Sequence, residues 1–115
     1  MGFMSIISFE QFMAADIRVG TVVKSEINEK ARKPALKLWV DFGGDLGVLQ
    51  SSAQITAHYS PEVLVGRQVL GCINLGERNI AGFVSQFLTL GLHDENGEVV
   101  LVHPDKAVPN GEKLL

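Results

Sequence analysis

Hydrophobic and polar positions change period twice along this chain. Near its start, Ser8 and Gln11 stand three residues apart, the spacing of a capping box, and Phe9, Phe12 and Met13 then share one helical face. A helix this short has no stability of its own and must dock on the rest of the chain or on a partner subunit. From Asp16 the period becomes two. In IRVGTVVKSEI (17–27), Ile17, Val19, Thr21, Val23 and Ile27 alternate with Arg18, Gly20, Lys24 and Glu26, which predicts a strand with one wet face and a bend or bulge at Gly20. The polar, basic loop NEKARKP (28–34) follows. In 35–44 the alternation returns, with Leu36, Leu38, Val40 and Phe42 on one face and Lys37, Trp39 and Asp41 on the other.

The remaining pattern predicts a third strand over 45–50, after a turn at Gly43-Gly44. Residues 51–66 read as helical turns, with Ser51 and Ser52 as cap-type residues and a turn at Ser60-Pro61. A fourth strand covers 67–75 and a fifth covers 83–92. Asn96-Gly97 marks a hairpin, 99–104 returns, and 108–114 holds a turn and a short terminal strand. Strand, strand, strand, helical turns, strand, strand suits an all-β, five-stranded OB-fold barrel, although another small β-barrel fits the pattern as well. The expected organisation is a tail over 1–7 and one domain over 8–115. The stretch NLGERNIAGFVSQ (74–86) resists a simple reading. It lies between two apolar runs, is too long for a plain hairpin turn, and sets Ser85 and Gln86 inside a strand.

Composition narrows the class. At 115 residues and 46% hydrophobic, the chain can build a core without disulfides or metals. Its one cysteine, Cys72, lies in an apolar run and reads as a buried thiol, in keeping with a reducing compartment. No apolar run approaches the roughly 18 residues of a membrane helix. The N-terminal residues lack the charged start of a signal peptide, and Ile6 stands where a myristoylation signal has Ser or Thr. The expectation is a cytoplasmic protein that does not insert into membranes.

Net charge is −3, but the window from Arg18 to Lys37 carries +4, which leaves −7 on the remainder. A basic patch sits on an acidic body. His58, His93 and His103 are dispersed without metal-ligand spacing, no Ser-His-Asp set is visible, and GDLGVLQSS lacks the lysine of a phosphate-binding loop. The reading is a protein that is not an enzyme and has no cofactor or metal. Trp39 shares its face with charges, so it either covers a sheet edge or subunit contact or serves as a stacking platform.

Four motifs in order, DIRVG (16–20), ARKPALKLWVDFG (31–43), QSSAQIT (50–56) and IAGFVSQ (80–86), resemble the CsaA family, secretion-related chaperones within the tRNA-binding-domain group of OB folds. The resemblance runs from about Phe9 to Leu114. It implies an OB barrel forming a homodimer, with tRNA as ligand in the wider group and unfolded or preprotein polypeptides, and through them the export machinery, as partners in the CsaA branch. The sequence departs from the family pattern before IAGF, where it has Gly76-Glu77-Arg78, and after it, where it has Ser85-Gln86.

In an OB fold the ligand face combines the second and third strands with the loops after the first and fourth. That selects Lys30, Arg32, Lys33 and Lys37 as phosphate contacts, with Arg78, Asn79, Ser85 and Gln86 reading a loop or unpaired end of RNA. Trp39, Ser51, Ser52, Gln54 and Phe83 form the expected peptide or ligand face. Ile80 and Phe83 are expected to anchor the 74–86 loop. Phe3, Met4, Ile6 and Ile7 add apolar surface for a polypeptide or a dimer. The reading is a binder of tRNA, a protein-export chaperone for unfolded preproteins, or both. The alternative is a dedicated RNA-binding module without chaperone activity.

Overall fold

The structure, a computed structural model, describes residues 4–115. It contains strands β1 (Ile17–Ile27), β2 (Leu36–Asp41), β3 (Val48–Ala53), β4 (Gln68–Cys72), β5 (Arg78–Ile80), β6 (Phe83–Ser85), β7 (Leu88–Thr89), β8 (Gly91–His93) and β9 (Val99–Leu101). Helices α1 (Phe9–Ala14) and α2 (Pro61–Leu64) complete it. The main sheet is antiparallel, with the order β3-β2-β1-β4-β7, and curls into a nearly closed five-stranded barrel. β5–β6 and β8–β9 are separate hairpins. The barrel and the helical segment between β3 and β4 match the OB arrangement expected from the pattern.

The core follows from the alternation in β2. Leu36, Leu38, Val40 and Phe42 all point inward and are buried against Val22, Leu64, Val69, Phe87 and Leu101. Each such side chain contributes about 1.5–3 kcal/mol by leaving water. Phe42 and Phe87 meet edge to face, 5.0 Å between centroids, and tie β2 to the segment between β6 and β7.

Three expectations need correction. The bulge in β1 is at Val23, not Gly20. Val22 pairs with Val40 and Lys24 with Trp39, so Val23 is the extra residue. Val22, opposite Val40, enters the core, and beyond the bulge the inward row passes to Ser25, opposite Leu38, so that Lys24 and Glu26 face outward. Val23 is the exposed extra residue, and Ile27 is exposed at the end of the strand. Gly20 serves a different need, since a Cβ there would lie 2.6 Å from the Val40 side chain.

Second, β3 continues through Ala53, so Ser51 and Ser52 are strand residues paired with Leu38 and Lys37 and do not cap a helix. The helical part shrinks to α2, which begins at Pro61 and has no side-chain cap.

Third, the expected fifth strand over 83–92 divides into β6, β7 and β8, which pair with β5, β4 and β9. The gap this leaves beside β3 is closed largely by side chains. Ser52 N donates to Ser85 Oγ at 3.0 Å, and Ser85 Oγ donates to Ser51 Oγ at 3.2 Å. Gln86 N donates to Gln50 O at 2.7 Å. The polar residues inside an apolar run thus satisfy the open edge of β3, whose backbone groups would otherwise be unpaired.

The C-terminal segment runs along β1. Gly111 N donates to Val19 O, Val19 N to Glu112 O, and Leu114 N to Ile17 O. At the other end, α1 has the expected capping box: Gln11 N donates to Ser8 Oγ and Ser8 N to Gln11 Oε1. None of its residues is buried, and Phe9 is 72% exposed. Polar bonds hold the helix end instead. Asn74 Nδ2 donates to Ala14 O, Asp16 N to Asn74 Oδ1, and Lys113 Nζ to Met13 O. Met4, Ile6 and Ile7 are exposed as well; Phe3 lies outside the described residues. Beside this joint, Arg18 Nε donates to Asp16 Oδ1 at 2.6 Å. That bond holds the Asp16 carboxyl below the usual carboxylate range and raises the Arg18 guanidinium.

Candidate functional site

The outward rows of β1, β2 and β3 lie in register. Lys24 stands opposite Trp39, and Trp39 opposite Gln50; Glu26 stands opposite Lys37, and Lys37 opposite Ser52. The Val23 bulge sets the first of these rows, because without it Lys24 would not face outward beside Trp39. Trp39 Nε1 donates to Gln50 Oε1 at 3.2 Å, and Gln50 Nε2 donates to Val84 O at 2.8 Å. Gln50 thereby fastens the β5–β6 hairpin over the tryptophan.

The hairpin answers the puzzle of 74–86. It is a two-residue turn, not a long loop. Ala81 and Gly82 both have positive φ, 53° and 82°, the pattern of a type I′ turn. Asn79 Oδ1 accepts from Gly82 N at 2.9 Å and holds the turn. Phe83, directly opposite Ile80, lies edge to face on Trp39, 5.6 Å between centroids. Lys24 Nζ sits 4.6 Å over the Trp39 ring and Lys37 Nζ 5.1 Å over the Phe83 ring.

Across from the hairpin tip, the loop 28–35 is anchored at its base. Asn28 is buried, Asn28 N donates to Ala35 O, and Asn28 Nδ2 donates to Ser52 Oγ at 3.3 Å. Lys30, Arg32 and Lys33 project from it, exposed. Among the described residues, none of Lys30, Arg32, Lys33, Lys37 and Arg78 forms an ion pair. Two grooves flank the tip. One, about 650 Å³, is lined by Asn28, Lys30, Lys37, Glu62 and Phe83 among others. The other, about 730 Å³, is lined by Lys30, Arg32, Lys33, Ser52, Gln54 and Ile80 and holds three cations and no acid.

The structure therefore brings together Lys30, Arg32, Lys33, Lys37, Trp39, Ser52, Gln54 and Phe83. Others expected beside them sit deeper or at the far side of the hairpin. Ser85 and Ser51 are turned inward, 7% and 1% exposed, and bond to each other in the barrel seam. Gln86 Oε1 accepts from Gln50 N in the same seam. These three serve the barrel edge, where an unpaired strand needs partners. Arg78 lines a smaller groove at the hairpin base with Glu77 and Leu88, and Ser51, Ser52, Ile80 and Ser85 line the same groove. Lys24 and Glu26 join the face without having been singled out as site residues. The signal was their outward alternation next to Lys37 and Trp39, obscured by the bulge.

Elsewhere the chemistry is structural. Cys72 is buried, with Sγ donating to Asn74 Oδ1 at 3.5 Å. His58 pairs with Asp94 at 2.7 Å, and this bond, with help from the Glu98 amide, keeps the Asp94 carboxyl below its usual range. Among the described residues no group of His, Cys, Asp and Glu has the arrangement of a metal site.

Comparison with known proteins gives this face its context. Residues 17–113 match the family model "Putative tRNA binding domain". The chain is 38% identical over 114 residues to a methionine–tRNA ligase of Chlorobium phaeobacteroides and 42% identical over 106 residues to one of Methanothrix thermoacetophila. These alignments cover 99% and 92% of this chain but only 16% and 15% of the ligases, so the chain spans about a sixth of the length of the curated relatives it matches. Among solved structures, the chaperone CsaA of Bacillus anthracis superposes with a TM-score of 0.88 at 45% identity, covering 96% of this chain and 100% of that one. CsaA of Picrophilus torridus gives 0.87 at 36% identity, with the same coverage. The match over 17–113 and the full-length likeness to CsaA together establish that the chain belongs to the tRNA-binding-domain family and, within it, to the CsaA group.

Proposed function

We propose that this protein is a binding protein without catalytic activity, which holds tRNA on the face formed by β1–β3, the 28–35 loop and the β5–β6 hairpin. The observation that carries the reading is the acid-free groove of Lys30, Arg32 and Lys33, which meets the tip of the hairpin that carries Phe83 against Trp39. Cations hold the phosphate backbone, aromatic rings take bases, and the amide of Gln54 and hydroxyl of Ser52 offer hydrogen bonds to base edges. Arg78 and Asn79, exposed on the hairpin, extend the cationic and polar rim. Filter binding of tRNA at stepped salt concentrations tests it, and a flat salt dependence would count against it.

A second reading has its own support. The CsaA structures it resembles are described as chaperones, and Met4, Ile6, Phe9 and Phe12 present apolar surface. In this reading the protein binds unfolded preproteins in the cytoplasm and delivers them to the export machinery. A homodimer suits both readings, since no α1 residue is fully buried within the chain and Phe9 is open to a second copy. Two copies would also align two faces for one long ligand. Displacement of labelled tRNA by an extended apolar polypeptide, at two salt concentrations, separates one shared face from two.

A further inference from the structure

We propose that Trp39 and Phe83 form a stacking site for an unpaired nucleotide, which Lys24, Lys37 and Glu26 fill in the free protein. The inference deepens the RNA-binding reading and rests on it. Lys24 Nζ lies over the Trp39 ring and, at the same time, 3.2 Å from Glu26 Oε2. Glu26 stands opposite Lys37 in the β1–β2 ladder, and Lys37 covers the Phe83 ring. Ring, cation and carboxylate thus stand in series. A nucleotide offers the matching pair of groups, a base plane for the ring and a phosphate for the cation.

Binding is then an exchange. The base stacks on the Trp39 face from which Lys24 withdraws, and the phosphate replaces Glu26 as the partner of the Lys24 ammonium. The contacts given up are weak ones. The Lys24 and Glu26 side chains are 59% and 49% exposed, and an ion pair or cation–π contact so open to water contributes little. Lys24 keeps an anionic partner throughout. A base within a duplex is already stacked on its neighbours and has no free face to offer, so the site selects single-stranded segments or loops.

Charge decides the class of ligand. The rings already carry two ammonium groups, Lys24 over Trp39 and Lys37 over Phe83, and the groove beside Phe83 also holds Lys30, with Glu26, Glu29 and Glu62 along it. A cationic polypeptide side chain would compete with Lys24 and Lys37 for the same ring faces. An anion with a flat ring meets no such competition.

Trp39 is the only tryptophan in the chain, so its fluorescence reports on this site alone. The protein is titrated with a short single-stranded oligoribonucleotide and with a duplex of equal length at about 50 mM salt, with tRNA filter binding in parallel. The single strand is expected to quench Trp39 saturably and the duplex to leave it unchanged. Phe83→Leu should weaken the single strand about five- to tenfold, as loss of one stacking surface does. Glu26→Gln should tighten it about two- to fivefold by removing the competing carboxylate, a gain that misfolding cannot imitate. Retention of tRNA on the filter with Trp39 fluorescence unmoved overturns the stacking site and leaves the RNA reading standing. Failure to retain tRNA at this salt overturns the RNA reading and the site with it. Quenching by a denatured polypeptide and not by RNA assigns the rings to polypeptide and overturns the proposal.

Discussion

Gln50 and Gln86 exchange two hydrogen bonds across the seam of the barrel: Gln86 N donates to Gln50 O at 2.7 Å, and Gln50 N donates to Gln86 Oε1 at 3.0 Å. One of the two depends on a side chain, which makes the closure open to mutation. Gln86→Ala leaves the Gln50 amide without its partner and should cost about 1–2 kcal/mol in urea unfolding. Gln86→Glu retains an acceptor and should change stability by less than about 0.5 kcal/mol. Equal losses for the two variants would show that the side-chain bond does not close the seam.

If the protein holds RNA as proposed, the 28–35 loop should set the salt dependence of binding. With about five cations on phosphate, affinity should fall about a hundredfold between 50 and 200 mM salt, at a slope of roughly −0.7 per contact. The triple change Lys30→Gln, Arg32→Gln, Lys33→Gln should lower the slope by about 2. Filter binding at four or more salt concentrations checks this, and an unchanged slope removes the loop from the interface.

Phe9→Glu with Phe12→Glu probes the role of α1. Since no α1 residue is fully buried within the chain, thermal unfolding of a monomer should shift by no more than a few degrees. Light scattering should report a dimer for the parent chain and a monomer for the variant. A parent chain that is monomeric at micromolar concentration sinks the dimer.

The Asp16–Arg18 pair carries a pH dependence of known sign. Arg18 holds the folded-state carboxyl of Asp16 below its usual range, so the unfolded chain takes up the proton first. The stabilisation is present above the usual carboxylate range and is lost as pH falls through the lowered value, below about pH 4. For a pair this open to solvent it amounts to about 1 kcal/mol or less. Asp16→Asn should lower stability at neutral pH by that amount and narrow the gap to the parent chain in acid. A constant difference across pH 2–7, read from urea midpoints, would contradict it.

These elements differ in how far the sequence betrayed them. β2 was legible because its alternation is unbroken and every inward residue is apolar. The capping box of α1 was legible because two side chains at a fixed spacing suffice to make it. The cations of the 28–35 loop were legible as a face, since charges on a loop reach water wherever the loop lies. The bulge at Val23 was not, because Val22 and Val23 are identical in chemistry and only the pairing with β2 decides which turns inward. The seam role of Ser51, Ser85 and Gln86 was hidden for a related reason. A hydroxyl or amide in a strand reads as surface unless one knows that a neighbouring strand edge lacks partners. That edge exists only once the barrel has almost closed. The turn at Ala81-Gly82 was concealed by alanine, an uncommon residue at positive φ.

The division of 83–92 among three partner strands has a consequence for how this protein can vary. Within ten residues the backbone serves β5, then β4, then β9, with the β3 edge satisfied in between. Shifting one strand by a residue turns its side chains to the opposite face. Here only Gln86, Phe87 and Leu90 separate the three strands, so an insertion finds no free loop to absorb it and turns part of the segment to the wrong face. Length change is therefore tolerable in the 28–35 loop, which pairs with no strand, and intolerable in 83–92. Descendants of this chain can reshape the exposed 28–35 loop while the segment behind it stays fixed in length.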